Sequence, residues 1–241
     1  MKSESPKIAL ILAGGKGVRL RPLTYKIPKP LVPVSGKPTI EWVIKELIRN
    51  GIHDIVLSIG YKADMIIKYL DNAGLDARIS YVVEKEALGT GGGLRLSLKK
   101  IMSRYNGDVF LVYGDAVFRF DIKKMYSFHK EKGALITMAL KRKKEVAGRG
   151  VAFLKGTRVT RFIEKPAEDS RPEDMSNLTN AGKYILNTRV FDLLPNKKRF
   201  SFEQDFLQNS ASDINLQGYM TKARSFSIDT PEKLEKARKN W

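Results

Sequence analysis

The first half of the chain alternates short apolar runs with longer segments of mixed polarity. The apolar runs predict four buried strands, over residues 8–12, 55–59, 79–83 and 109–113. Apolar residues that recur at helical spacing predict three helices, over residues 38–49, 63–70 and 92–102. This alternation of strands and helices favours a largely parallel sheet that is covered by helices on both faces.

Short strands dominate the pattern after about residue 135. We predict these strands over residues 135–140, 151–154, 159–164 and 183–186. Two modest helices accompany them, over residues 189–194 and 231–240. An acidic, proline-containing stretch at residues 167–175 predicts a mobile surface loop. Neither a low-complexity linker nor an internal repeat divides the sequence, so we predict a single domain over residues 1–241.

Composition narrows the class of protein. The 241 residues are 42% apolar, which is enough for a sizeable core, and no apolar run reaches the roughly 18 residues that a membrane span needs. The absence of cysteine excludes disulfides and thiolate metal sites, and it makes the cytoplasm the expected location. The formal net charge of +18 favours anionic partners. Because many of the cations lie in predicted helices and tails, we expect small polyanions rather than nucleic acid.

A glycine-rich loop follows the first predicted strand. Residues 7–41 read KIALILAGGKGVRLRPLTYKIPKPLVPVSGKPTIE, and cations stand in or after the glycines, at Lys16, Arg19, Arg21 and Lys29. Glycines let the backbone approach a ligand closely, and backbone N–H groups together with cations form anion sites. The spacing excludes the dinucleotide fingerprint G-x-G-x-x-G and the P-loop pattern G-x-x-x-x-G-K-[ST]. The residues alone therefore predict a strand that leads into a polyphosphate-binding loop.

Six sequence blocks extend this motif along the chain: LAGGKGVRLRPLT with PKPLVPVSGKP, then LGTGGGL, VYGDAVF, FIEKP, NAGKYIL and SIDTPEKLEKA. In this order they resemble the sugar-1-phosphate nucleotidyltransferases, also called nucleotide-sugar pyrophosphorylases. The resemblance implies an α/β fold, a Rossmann-like three-layer sandwich around a mostly parallel mixed sheet. It also implies a nucleotide-binding half up to about residue 135 and a sugar-phosphate half from about residue 136. Many relatives carry a further C-terminal left-handed β-helix, for which this chain has no room, so no acyltransferase activity is expected.

The resemblance also implies a reaction. A sugar 1-phosphate attacks the α-phosphorus of a nucleoside triphosphate, and catalysis depends mainly on positioning and electrostatic stabilisation. Arg19 matches the arginine that holds the triphosphate, and Lys29 matches the lysine that contacts the α-phosphate. Further nucleotide contacts are implied at Ala13, Gly14, Gly15, Gly17, Gly89 and Thr90.

A Mg²⁺ cofactor is implied by the same resemblance. Asp115 matches the family's metal-binding aspartate, and Mg²⁺ prefers one or two carboxylates together with phosphate oxygens and water. The second carboxylate is less well defined by the motif. Asp229 matches members that read I/M-D-T, whereas an alignment on Thr-Pro with members that read W-x-D-x-G-T-P places Ser227 at the aspartate. We choose Asp229; the alternative is that Asp229 only caps the helix opened by Pro231.

The sugar phosphate is expected to bind residues of the second half. Lys165 matches the lysine that holds the sugar's phosphate, and Glu164 matches the carboxylate that accepts hydrogen bonds from sugar hydroxyls. Gly150, Asn180 and Gly182 match further positions of the sugar pocket. Glycine and asparagine are also common turn residues, which is the alternative explanation for these three.

Base selection is predicted to depend on Glu84, in the segment EKEALGTG. Thymidylyl and many uridylyl relatives carry glutamine nearby, which suits a pyrimidine. A carboxylate only accepts hydrogen bonds, which suits the adjacent N1–H and N2–H₂ donors of guanine. We therefore favour GTP with a mannose- or heptose-type 1-phosphate. Because some uridylyl relatives also carry glutamate here, UTP or dTTP with a glucose-type 1-phosphate stays an alternative.

Two other functions remain open from the sequence. The same fold serves in non-catalytic regulatory subunits, but such relatives usually lose charged residues that this chain keeps at Arg19, Lys29, Asp115 and Lys165. A nucleotidyltransferase for a small alcohol phosphate would use the same chemistry with another acceptor. The sequence does not fix the oligomeric state, and a homo-oligomer stays open.

Overall fold

Strand β1 (Ile8–Ala13) carries six consecutive buried residues and lies inside the main sheet. The structure is a computed structural model, which describes residues 4–167 and 176–241. The predicted loop at residues 167–175 lies outside the described residues, except for Ala167. The other strands are β2 (Pro33–Val34), β3 (Lys37–Pro38), β4 (Asp54–Ile59), β5 (Arg78–Val83), β6 (Asp108–Tyr113), β7 (Ala116–Phe118), β8 (Ile136–Arg142), β9 (Val151–Lys155), β10 (Arg158–Ile163), β11 (Leu178–Asn187), β12 (Leu216–Met220) and β13 (Ser225–Ser227).

Helices connect most of the first-half strands. The α-helices are α1 (Leu23–Lys26), α2 (Thr39–Arg49), α3 (Ala63–Asp71), α4 (Gly89–Met102), α5 (Ile122–Glu131), α6 (Gln208–Ser210) and α7 (Pro231–Asn240). Tight 3-10 turns occur at Val18–Leu20, Lys29–Leu31 and Thr188–Leu193, and a π-helical segment precedes α6 at Phe202–Leu207. In the described chain no helix is both long and apolar enough to span a bilayer.

Nine strands of the described chain form one mixed sheet, in the order β5-β4-β1-β6-β11-β8-β12-β10-β9. The first-half pairs β4–β5, β1–β4 and β1–β6 are parallel, as the alternation of strands and helices predicts. The second half differs, because only β8–β12 is parallel there and the other pairs are antiparallel. The expectation of a mostly parallel sheet is therefore wrong for this half. Its neighbouring strands β9 and β10 are joined by a tight turn, which permits only antiparallel pairing.

The second half of the sheet also closes on itself. Thr179 of β11 pairs with Val151 of β9, and the N–H of Asn180 donates to the carbonyl of Gly150 at 2.9 Å. Strands β11, β8, β12, β10 and β9 consequently form a ring. The Rossmann-like three-layer sandwich that the resemblance implies does not include this closure. It brings residues at the ends of β9 and β11 next to one another.

Side chains from the two faces of the sheet form two separate parts of the core. In β1, Leu10 joins a cluster under α4, whereas Ile11 joins a cluster under α2, α3 and α5. Successive residues of a strand point to opposite faces, so a continuous apolar run needs cover on both sides. Strand β1 is buried for this reason. Its carboxyl end is where the glycine-rich loop begins.

A third, smaller cluster fixes the last helix against the body of the protein. Leu234 and Ala237 of α7 pack with Leu20 and Val32 from the glycine-rich region. Trp241 meets the ring of Trp42 edge to face, with the ring centroids 5.8 Å apart. This packing determines where the segment before α7 lies.

Several elements differ from the sequence-based expectations. Helix α5, strand β12 and the antiparallel pair β7–β13 were not predicted. Helix α4 begins at Gly89 rather than at residue 92. Strand β11 starts at Leu178 rather than at residue 183, because it pairs with β8 on both sides of a register shift. The predicted helix over residues 189–194 is a 3-10 turn.

Candidate functional site

A cavity of about 410 Å³ opens at the carboxyl ends of β1 and β6, the edge at which α/β sheets bind ligands. Its lining includes the candidates Ala13, Gly14, Gly15, Gly17, Arg19, Lys29, Glu84, Gly89, Thr90, Asp115 and Asp229. The lining does not include the sugar-side candidates Gly150, Glu164, Lys165, Asn180 and Gly182. The structure therefore brings together the predicted nucleotide and metal residues from both ends of the chain.

The glycine-rich loop is shaped by Gly17. Its φ of 61° is a left-handed conformation that glycine adopts without strain, and a Cβ there would lie only 3.1 Å from Cβ of Lys29. The hydroxyl of Thr24 donates to the Gly17 carbonyl at 2.9 Å and fixes the turn. Arg19 follows in the 3-10 turn, with 68% of its side chain exposed toward the cavity mouth. An exposed guanidinium is suited to a phosphate that arrives from solvent.

Lys29 lies between the two metal-site candidates. Its Nζ donates to Oδ2 of Asp115 at 2.7 Å and to Oδ1 of Asp229 at 2.6 Å, and only 12% of its side chain is exposed. Burial alone would lower the pKa of the Lys29 ammonium, but the charges of the two carboxylates outweigh burial and raise it. Lys29 is therefore a fixed positive charge at this end of the cavity.

Asp229 reaches the cavity through the β13–α7 connection. The N–H of Ile228 donates to the Asp115 carbonyl at 3.0 Å, which holds the two aspartates side by side. Burial would raise the pKa of Asp229, but the charge of Lys29 above all, and those of Lys233 and Arg19, keep it well below its usual range. Asp229 thus stays ionised across the physiological range.

The alternatives for this segment differ in where the structure places their residues. The hydroxyl of Thr230, not the carboxylate of Asp229, caps α7 by accepting from the N–H of Lys233. Ser227 lies in β13, where it pairs with Ala116. The cavity lining includes Asp229 and does not include Ser227.

Asp115 and Asp229 are the residues that fit a divalent cation. Their oxygens face one another across a single ammonium nitrogen, so a cation is stabilised at this point of the structure. Two carboxylates are also the donor set that Mg²⁺ uses when phosphate oxygens and water complete its coordination. Over residues 4–167 and 176–241, no group of three or more His, Cys, Asp or Glu residues could hold a metal by itself. The aspartate pair therefore fits a metal that is bound together with a phosphate ligand.

Glu84 also lines the cavity, where its carboxylate lies close to two glycines. A Cβ on Gly14 would lie 2.6 Å from its Oε1 and a Cβ on Gly93 would lie 2.8 Å from the same atom, so a side chain at either position would displace the Glu84 carboxylate. The Ser58 hydroxyl donates to Oε1 at 2.8 Å. Burial raises the pKa of Glu84, and hydrogen bonds from Ser58 and the Leu88 backbone oppose this effect. One carboxylate oxygen is consequently fixed, while the group remains part of the cavity wall.

Four sugar-side candidates form a second group beside the cavity. A Cβ on Gly150 would lie 2.5 Å from Oε2 of Glu164, and the Gly150 carbonyl accepts from the N–H of Asn180. The N–H of Gly182 donates to Oδ1 of Asn180 at 2.9 Å. A Cβ on Gly182 would lie 3.3 Å from the ring of Tyr113, which does line the cavity. Tyr113 therefore separates the two groups of candidates.

Lys165 adopts an unusual backbone conformation. Its φ of 51° is left-handed, which is uncommon for a residue with a side chain. Its side chain is 66% exposed, and Nζ lies 3.5 Å from Oε1 of Glu164. Burial, followed by the charge of Glu203, raises the pKa of Glu164, and Lys165 opposes these effects. The structure leaves the Lys165 ammonium at the surface next to Glu164.

Sequence reasoning missed three residues of this region. Tyr113 and Arg199 line the cavity, and buried Glu203 lies behind it. Tyr113 stands immediately before the Gly-Asp pair, so its place in the motif could have indicated it. Arg199 and Glu203 lie in a segment without a recognised motif, and only the fold brings them to the cavity.

Known proteins resemble this chain over nearly its whole length. The chain matches the family described as nucleotidyl transferase over residues 8–238, which is nearly its whole length. The chain belongs to the nucleotidyl transferase family. The charged residues that line the cavity are therefore those of a member of this family.

Two curated relatives of this nucleotidyl transferase act on related sugar phosphates. The D-glycero-alpha-D-manno-heptose 1-phosphate guanylyltransferase of Aneurinibacillus thermoaerophilus is 35% identical, with 96% of each chain covered. The mannose-1-phosphate guanyltransferase of Yarrowia lipolytica is 36% identical over 87% of this chain. The alignment spans 58% of the length of that relative.

Solved structures share the fold. HddC from Yersinia pseudotuberculosis complexed with GMP-PN superposes with a TM-score of 0.79 at 28% identity, covering 97% of this chain and 99% of HddC. A UDP-glucose pyrophosphorylase complexed with UDP-glucose gives a TM-score of 0.80 at 23% identity, with 97% of each chain covered. The second likeness concerns the fold alone.

Proposed function

We propose that the protein transfers a guanylyl group from GTP to a mannose- or heptose-type sugar 1-phosphate. The observation that carries this proposal is Lys29, whose ammonium bridges Asp115 and Asp229 in a cavity that Glu84 also lines. A cation cluster suits the phosphates, and an acceptor-only carboxylate suits guanine. The guanylyltransferase names of the heptose and mannose relatives support the same substrates.

The chemistry needs no dedicated acid or base. An already ionised phosphate oxygen of the sugar 1-phosphate attacks the α-phosphorus, the bond from the α-phosphorus to the bridging oxygen breaks, and pyrophosphate leaves. Lys29 would stabilise charge that develops on the α-phosphate, because its position is fixed by two carboxylates. Arg19 would bind the departing β- and γ-phosphates from the exposed loop.

Asp115 and Asp229 would hold Mg²⁺ in this reaction. When bound, the ion would neutralise phosphate charge and polarise phosphoryl oxygens. The same carboxylates accept from the Lys29 ammonium, so the ion would share them with Lys29, which would keep its position.

The second half would bind the acceptor. We assign Glu164 to the sugar hydroxyls and Lys165 to the sugar's phosphate, with Gly150, Asn180 and Gly182 shaping the pocket. Gly150 supports this assignment, because a side chain there would overlap the Glu164 carboxylate. The exposed Lys165 would have to turn toward the cavity when the sugar phosphate binds.

We further propose that residues 1–241 act as one Rossmann-like domain in the cytoplasm, without nucleic acid as a partner. The nucleotide half would end at about residue 135. A single sheet runs through both halves, which supports one domain whose first half binds the nucleotide and whose second half binds the sugar phosphate. A homo-oligomer remains to be tested by light scattering.

The test of the proposed function is pyrophosphate release in the presence of Mg²⁺. GTP, UTP, dTTP, CTP and ATP would each be paired with mannose, heptose, glucose and N-acetylglucosamine 1-phosphates. We expect turnover with GTP and a mannose- or heptose-type acceptor. Turnover with UTP or dTTP and glucose 1-phosphate would favour the pyrimidine alternative. Bound triphosphate without turnover on any sugar would point to an alcohol phosphate acceptor, and no binding would favour a regulatory subunit.

Replacing Glu84 with glutamine should shift base preference from guanine toward uracil or thymine. Glutamine keeps the size of the side chain but exchanges one acceptor oxygen for a donor, which leaves guanine's N–H groups poorly paired. The measurement is the ratio of kcat/KM values for GTP and UTP. Glu86→Gln is the matched control, because Glu86 is 58% exposed and is not part of the cavity lining. An unchanged ratio in Glu84→Gln would remove Glu84 from base selection.

A further inference from the structure

Glu203 is a buried carboxylate that the proposed reaction does not use. It is only 8% exposed, and it lies in the π-helical segment Phe202–Leu207 behind the cavity. Short π-helical segments are rare and frequently occur at functional sites. A buried carboxylate is costly unless hydrogen bonds satisfy its oxygens, so its partners indicate why it is there.

The partners of Glu203 are hydroxyl groups from both sides of the site. Oε2 accepts from the Thr90 hydroxyl at 3.0 Å, on the nucleotide side at the start of α4. Oε1 accepts from the Tyr184 hydroxyl at 2.9 Å and also from the Tyr113 hydroxyl. The backbone N–H of Phe202 donates to Thr90 Oγ1 at 2.9 Å, which ties the same segment to the nucleotide side a second time.

The Tyr184 hydroxyl remains a donor throughout the usual pH range. Burial raises the pKa of this hydroxyl well above its ordinary value, and the charge of Glu203 raises it further. Tyr184 therefore keeps its proton, and the carboxylate keeps this donor.

The hydrogen bonds continue from Tyr184 to the sugar-side candidates. The side-chain amide of Asn180 donates to the Tyr184 oxygen at 2.5 Å, and Oδ1 of Asn180 accepts from the N–H of Gly182 at 2.9 Å. An unbroken path thus runs from Thr90 through Glu203 and Tyr184 to Asn180. Glu203 is the point at which the nucleotide side and the sugar side share one group.

We propose that Glu203 is a positioning residue that couples the binding of the triphosphate to the binding of the sugar phosphate. This inference rests on the proposed function. In the proposed function the nucleotide contacts Thr90 and the sugar contacts Asn180. A ligand that orders one of these residues therefore orders the other through Glu203. Each substrate then binds more tightly when the other is present, and the effect is reciprocal. Buried networks of this kind lose their effect when one shared acceptor is removed.

The experiment measures this coupling directly by titration calorimetry. The probe is guanosine 5′-(α,β-methylene)triphosphate with Mg²⁺, whose α,β linkage does not break, with and without saturating mannose 1-phosphate or whichever acceptor supports turnover. In the wild-type protein we expect the acceptor to lower Kd of the probe by about fivefold or more. In Glu203→Gln that factor should fall to within about twofold of unity.

Tyr184→Phe separates positioning from general structural support. This change keeps the ring and its edge-to-face contact with Phe202 but removes the hydroxyl that leads to the sugar side. We expect it to abolish the coupling and raise KM for the sugar phosphate while leaving Kd of the probe alone unchanged. A merely structural role would lower the melting temperature and the active fraction but leave both Kd values and the coupling factor intact, which would overturn the proposal.

A cycle of variants keeps the proposal testable if Glu203→Gln does not fold. Thr90→Val, Tyr184→Phe and their combination would be compared through KM for the sugar phosphate. If both hydroxyls act through Glu203, the double variant should raise KM by clearly less than the product of the two single effects. An effect equal to that product would overturn the coupling. Wild-type turnover in the same assay distinguishes this failure from a failure of the proposed function, which would show as no turnover at all.

Discussion

Replacing Lys29 with methionine should lower kcat by about a hundredfold or more, a loss of roughly 3 kcal/mol of transition-state stabilisation. Methionine keeps most of the aliphatic stem and removes only the charge. The ammonium is fixed by Asp115 and Asp229 at 2.7 and 2.6 Å, so it needs no reorganisation when charge develops on a phosphate. The measurement is the rate of pyrophosphate release at saturating substrates.

The same substitution should change the response to Mg²⁺. Without Lys29, less positive charge offsets the negative charges of the Asp115 and Asp229 carboxylates. Added Mg²⁺ should then raise the melting temperature of the variant more than that of the wild-type protein. Lys26→Ala is the matched control, because Lys26 is an exposed lysine of the same segment and is not part of the cavity lining. A Lys29→Met enzyme with wild-type kcat would remove Lys29 from the reaction.

Replacing Asp115 with alanine should abolish Mg²⁺-dependent turnover and leave the fold intact. The expected loss is at least about 4 kcal/mol, roughly a thousandfold in kcat, because a metal contributes several kcal/mol to charge stabilisation. The fold should persist because the Asp115 backbone, not its side chain, pairs with Ile228. The measurements are kcat across a Mg²⁺ titration and the melting temperature.

A matched control distinguishes metal binding from a general loss of negative charge. Asp76→Asn removes an aspartate whose side chain is 89% exposed, and it should leave both kcat and the Mg²⁺ dependence unchanged. Asp229→Asn should weaken the apparent Mg²⁺ affinity, since Asp229 faces the same position. Retention of ordinary Mg²⁺-dependent turnover in Asp115→Ala would contradict the assignment of this site.

The sequence predicted the first-half strands well because their signal is local. Strand β1 is covered on both faces, so every residue is apolar and the run is easily recognised. The start of α4 was placed too late because glycines favour turns and weaken helices. Packing overrides that preference here, since a Cβ on Gly91 would lie 2.2 Å from the ring of Phe200. The glycines allow the first turn of α4 to approach the chain near Phe200.

Only those residues of the candidate site that lie in a sequence motif could be predicted. The glycine loop, Lys29 and Asp115 lie in recognisable blocks, and the cavity contains them. Glu203 lies in the segment RFSFEQDF, which has no such pattern. Its partner Thr90 lies 113 positions earlier in the sequence. Contacts of that separation depend on how β6, β11 and α4 are assembled, which no local pattern encodes.

The ring formed by β11, β8, β12, β10 and β9 affects how the protein meets other copies of itself. Because β9 is paired on both sides, β5 is the only strand of the described main sheet that has a single neighbour. An exposed edge strand can recruit a strand from another molecule and so begin aggregation. Arg78 begins β5 with its side chain 71% exposed and 2.5 Å from a carboxylate oxygen of Asp54, and the Lys100 ammonium donates to the Tyr81 carbonyl in the same strand. On a molecule of net charge +18, copies that approach this edge should repel one another, so solubility should fall as salt screens the charge.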